Sequence, residues 1–288
     1  MQYKTLIFRK NFLLAALLAL VWLTSCVQEE FESIPPQTGN GVRFTLTVPD
    51  VEMPSVSSRT MAGTGVAKKE DEIKTVDILV FDASKTPAVY LEWVSGMGVT
   101  QDLANNNSTV SFSAVLSPTT ASTCIVVVAN RELGAIASEF RKGETTKVKV
   151  MKDLLHGHTG KWTADGSSAD GYTRIPMYGE IEVAKITPSM NSITGINMKR
   201  MLARIDIRNS ASDFTVEEVY LANYNTIGYI APAWDANGKL KDPVPDDPNL
   251  PADSGKKTEE GDAILYSVKG NTPYDGEIYT FESLAAED

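Results

Sequence analysis

VRFTLTV, residues 42–48, places Val42, Phe44, Leu46 and Val48 at every second position, with Arg43, Thr45 and Thr47 between them. Side chains alternate faces along a strand, so a period of two buries one face and wets the other. Pro49 cannot donate to a ladder and ends the run. The same signal recurs down the chain. IKTVDILVF (73–81) is an almost unbroken apolar strand, and the turn residues 82–87 fold it back on 88–94 as a hairpin. Val110, Phe112, Ala114 and Leu116 alternate with polar residues, and CIVVVA (124–129) is apolar on both faces, as expected of a strand covered from both sides. Further strands are expected over 175–186, 196–207, 216–221, 263–268 and 277–281. In the second of these Met201, Ala203, Ile205 and Ile207 form one face.

Helix is sparse by comparison. Leu133, Ile136, Ala137 and Phe140 recur at helical spacing and predict a short amphipathic helix over 131–142, stopped by Gly143. Residues 148–155 fit a strand or a helix equally well. Residues 50–72 and 157–174 lack a period, and 232–262 hold five of the 14 prolines, which reads as an unusually long loop or linker. Many short strands without alternating helices define an all-β protein built as sandwiches. The expected organisation is two β-sandwich domains of the transthyretin-like, Greek-key kind, over 41–208 and 209–288. The second is expected to be incomplete, because its length falls short of the roughly 100 residues a sandwich commonly needs.

The 288 residues carry 27 Lys and Arg against 37 Asp and Glu, a formal charge of −10. That balance repels polyanions and argues against nucleic acid as a partner. Two Cys, at 26 and 124, and two His, at 156 and 158, do not have the spacing of a structural zinc or iron-sulfur site. His156 and His158 lie in a loop with no third ligand beside them, so no metal is expected there. The chain has no Gly-x-Ser-x-Gly elbow, and Gly63-Thr64-Gly65 and Gly96-Met97-Gly98 are expected in loops, without the strand-to-helix setting of a phosphate cradle. Glu180 and Glu182 share a strand face, which an acidic chain produces by composition alone. Trp93 and Trp162 suit a core or hairpin position better than a sugar platform. No enzyme chemistry and no cofactor are expected.

The N-terminus carries the most specific signal. Lys4, Arg9 and Lys10 precede an uncharged apolar run from Phe12 to Leu23, too short to span a bilayer at about 20 residues per crossing. This is the layout of a secretory signal. It closes on Leu23-Thr24-Ser25-Cys26, which resembles a bacterial lipobox, so residues 1–25 are expected to be removed and Cys26 to carry lipid. Residues 26–40 form a tether whose acidic stretch resembles the surface-export signal of Bacteroidetes lipoproteins, implying the outer face of the outer membrane. Cys124, in an apolar run, is expected to be a buried thiol without a disulfide partner.

The order of features resembles a family. Lipobox, tether and first strand are followed by a loop with an arginine, then by VDILVFD (76–82), VAN (128–130), IPMYG (175–179) and RMLARID (200–206). This looks like the fimbrillin family of Bacteroidales, the FimA- and Mfa-type pilins of type V pili, across residues 1–230. The resemblance implies a structural pilus subunit that supports adhesion and assembles with other pilin subunits. It implies a lipoprotein precursor processed by signal peptidase II, then by an Arg-specific or trypsin-like protease in the loop after the first strand. Arg59 and Thr60 occupy the matching cleavage position, with Lys68 and Lys69 as alternatives. The strand Val42, Phe44, Leu46, Val48 matches the one that is lost and replaced from another subunit.

A carbohydrate-binding surface lipoprotein of a glycan-uptake system shares the lipobox, tether and sandwich. It predicts aromatic side chains gathered on one exposed face. The pilin reading predicts instead that residues 42–48 complete the first sandwich.

Overall fold

β2 (Val76–Asp82) and β6 (Thr123–Ala129), the two most apolar runs, lie side by side in antiparallel register from Val76 opposite Ala129 to Asp82 opposite Thr123. In this computed structural model, which describes residues 41–48, 70–101, 109–162, 174–206, 213, 217–241, 248–267 and 277–283, they form the middle of a five-stranded sheet. β3 (Val89–Ser95) pairs outside β2, while β8 (Met177–Val183) and the two-residue β10 (Lys199–Arg200) extend the other side. Every residue of β6 is buried because both faces of this sheet are covered, which is why its sequence shows no alternation.

One face packs on a four-stranded sheet with the order β4 (Met97–Gln101), β5 (Thr109–Val115), β1 (Gly41–Thr47) and β9 (Ser192–Asn197). Ile78, Val80, Ile125 and Val127 from the first sheet meet Phe44, Leu46, Val110 and Phe112 from the second in one buried cluster. This is a β-sandwich. The opposite face buries Leu79, Phe81, Val126 and Val128 beneath helices α1 (Gly134–Ala137) and α2 (Lys147–Asp153) and the segment around Trp234. Smaller ladders complete the chain: β7 (Leu155–Gly157) with β13 (Ile227–Tyr229), β11 (Leu202–Asp206) with β15 (Glu277–Phe281), and β12 (Glu218–Leu221) with β14 (Ile264–Ser267). Tyr279 and Phe281 join the same cluster as Leu79, so the last described strand packs into a core begun two hundred residues earlier.

Several local expectations are corrected. The helix expected over 131–142 is one turn, Gly134–Ala137. Leu133 carries no side-chain cap and gives its N–H to Asp77 (2.7 Å), and Gly143 and Thr145 turn to hydrogen-bond Tyr90 of β3. The four apolar residues still face the core, so the spacing was right about burial and wrong about length. Residues 147–153 are helix, with the Thr146 hydroxyl accepting from the Lys149 N–H (3.2 Å). Met97 and Gly98 belong to the edge strand β4 rather than to a loop. Residues 227–229, outside the expected strands, pair with β7 as β13. The run 196–207 is divided among β9, β10 and β11, and its inward residues include Leu202, whereas Ala203 and Ile205 are exposed. The Pro-rich stretch is no free linker where it is described, since Ala233, Trp234 and Pro251 are buried.

Candidate functional site

β1 sits inside its sheet, not at its edge. It runs antiparallel to β5, from Gly41 opposite Val115 to Thr47 opposite Thr109, and parallel to β9. Its ends are tied as well: the Arg43 N–H reaches Asn191 O (3.0 Å), and Met198 N–H reaches Thr47 O (2.8 Å). Val42, Phe44, Leu46 and Val48 are each 0% exposed, as the period of two required. Phe44 stacks on Phe112 of β5 with ring centroids 4.8 Å apart and planes within 4°. The polar residues between them, Arg43, Thr45 and Thr47, point the other way and are less buried.

The slot β1 fills is bounded by strands distant in sequence. Without β1, β5 and β9 would stand roughly 9–10 Å apart, two strand spacings, each presenting unpaired N–H and C=O groups beside an apolar trough. Burying four such side chains contributes roughly 6–12 kcal/mol at about 1.5–3 each. That is comparable with the whole stability of an ordinary domain, about 5–15 kcal/mol. The fold therefore needs this strand, or one like it.

Just before β2, three consecutive acids are clamped. Glu70, 1% exposed, accepts from Arg204 Nη1 (2.6 Å) and from the Tyr279 hydroxyl; Asp71 pairs with Arg200; Glu72 pairs with Arg174 (3.0 Å) and Lys74 (3.2 Å). Asn130, at the end of β6 with a positive φ of 58°, gathers the same region, binding Glu72 O, Lys74 N and Ile175 O. The downstream end of the β1–β2 connection is thus anchored to β10, β11 and β15. In the sequence these acids fall in the aperiodic stretch 50–72, which shows none of these partners.

Residues 42–242 match the family model of the major fimbrial subunit protein (FimA). The chain belongs to that family. It is a family of structural fimbrial subunits rather than enzymes, which places this subunit at the cell surface and among other pilin subunits. A cell adhesion protein candidate from Parabacteroides distasonis has a similar crystal structure, at 17% identity and a TM-score of 0.45, covering 87% of this chain and 73% of the other. No curated protein has a significantly similar sequence.

The remaining candidates resolve individually. Cys26, Arg59 and Thr60 lie outside the described residues. Trp162 is buried against His156, His158 and Phe281, and Trp93 is half-buried against the larger cluster, so neither presents an open sugar platform. Glu180 is engaged by Lys147 (2.7 Å) and the Tyr178 hydroxyl (2.6 Å), which separates it from Glu182 in chemical setting. Burial, with help from Arg131 and His158, brings the His156 imidazole down to about 4. Cys124 is a free buried thiol, pushed up to about 12 by burial. No cluster of metal-binding side chains occurs among the described residues.

Proposed function

We propose that this fimbrial subunit is a type V pilin, exported as a lipoprotein precursor through Cys26 and assembled by protease-triggered strand exchange that supports adhesion. β1 is the strand given up, and the outer membrane holds the precursor by its lipid. Signal peptidase II removes residues 1–25, and an Arg-specific or trypsin-like protease cuts between Arg59 and Thr60. The observation that carries this reading is the interior position of β1, whose four inward side chains are wholly buried and whose connection to β2 contains Arg59. Losing it creates an apolar, unpaired trough that a strand from another subunit relieves.

Limited trypsin treatment tests the proposal. The first cut is expected near Arg59, followed by SDS-resistant oligomers when a donor subunit is present, and Arg59→Ala is expected to slow both. Oligomers that form equally from uncut protein would count against strand exchange.

A further inference from the structure

Both outer strands of the sheet that holds β1 carry the same irregularity. On β4, Met97 lies opposite Ser113 and Thr100 opposite Ser111, so Gly98 and Val99 together face the single residue Phe112. On β9, Ile193 lies beside Phe44 and Ile196 beside Leu46, so Thr194 and Gly195 face Thr45. Each bulge contains a glycine in the left-handed region, φ 64° at Gly98 and 82° at Gly195. A Cβ on Gly195 meets nothing within 4 Å, so the backbone conformation and not crowding calls for glycine there. By contrast, the inner ladder between β1 and β5 is regular over its whole length.

An extra residue bends an outer strand and breaks its row of free N–H and C=O groups, which is how natural sheets prevent unwanted pairing. The facing sheet is guarded by other means. β3 has a bulge at Leu91, and hydrogen bonds of Tyr90 with Gly143 and Thr145 and of the preceding Ala88 with Lys147 cover its start, while β10 is two residues long.

We propose that the bulges at Gly98 and Gly195 determine assembly specificity: they deny an incoming strand both edges of the four-stranded sheet and leave the interior place of β1 as its position. This rests on the strand-exchange reading above, yet it is tested on uncut protein, where that reading predicts no exchange.

Deleting Gly195 converts the β9 segment to Ser192-Ile193-Thr194-Ile196-Asn197, an unbroken alternation. The uncut full chain in mild detergent is examined by cross-linking and size exclusion, with circular dichroism as the test of folding. The parent should remain monomeric, and the deletion variant should oligomerise at a concentration at least tenfold lower. Adding Thr194→Lys should reverse this, because a lysine on a flat edge obstructs pairing. Deleting Gly98 instead, which leaves Val99 alone opposite Phe112 on β4, serves as a second variant and should behave like the first deletion. Folded variants as monomeric as the parent would overturn the proposal. So would loss of folding in both, since the bulge would then be a requirement for seating β1. Failure of cut parent protein to assemble would refute strand exchange and leave this result standing.

Discussion

Replacing Phe44 by alanine removes a ring that is fully buried, stacked on Phe112 and placed midway along β1. Truncating a buried phenylalanine costs about 3–5 kcal/mol through lost transfer energy and the cavity left behind. The parallel stack on Phe112 places this site toward the upper part of that range, since such pairs add about 0.5–1.5 kcal/mol beyond area. With a urea dependence of roughly 2–3 kcal/mol per molar, the unfolding midpoint should fall by roughly 1–2.5 M. Thr45→Ala, one residue away on the outer face, should change stability by no more than about 0.5 kcal/mol. Urea titrations of the three proteins, followed by tryptophan fluorescence and far-UV circular dichroism, make the comparison. A Phe44→Ala midpoint within about 0.3 M of the parent would refute the claim that β1 is structural core.

Glu70→Ala should destabilise by about 3–5 kcal/mol, because it removes the buried carboxylate that both Arg204 and the Tyr279 hydroxyl reach, and the double variant with Arg204→Ala should lose less than the sum of the singles in a denaturation cycle. His156 has a folded value near 4, below its ordinary 6.5, so the fold favours the neutral ring. Its contribution is complete above pH 6.5 and is lost as pH falls toward 4; melting temperatures measured across that window should decline less steeply in His156→Gln. Cys26→Ala should move the protein out of the membrane fraction, and unchanged fractionation would refute lipidation.

Legibility in the sequence followed the range of the interactions. Val42, Phe44, Leu46 and Val48 were readable because alternation is written locally, and the apolar runs at β2 and β6 betrayed a sheet covered on both faces. What could not be read depended on distant partners. Ala203 and Ile205 looked like the inward face of β11, yet they are exposed while Leu202 is buried. Arg204 meets Glu70, 134 positions away in sequence, and that polar pairing rather than hydrophobic alternation orients the strand. The helix at 131–142 stopped after one turn for a similar reason, since Asp77 and Tyr90 compete for its backbone. The bulges at Gly98 and Gly195 were not legible, because a bulge exists only relative to the partner strand. The candidate site was therefore legible in the strand itself and not in the slot around it.

The unlike neighbours of β1 give that slot a direction. β5 runs against it and β9 runs with it, so one wall offers paired narrow and wide bonds and the other offers evenly slanted ones. A strand entering backwards would meet each pattern on the wrong side, with the β9 bulge opposing it out of step. A joint that accepts one polarity is heterologous, and repeating it turns every subunit the same way. Under the strand exchange proposed above, a polymer made through such joints would have two chemically distinct ends, one showing an empty slot and the other an unspent strand, and growth and termination would take place at different ends of the fibre.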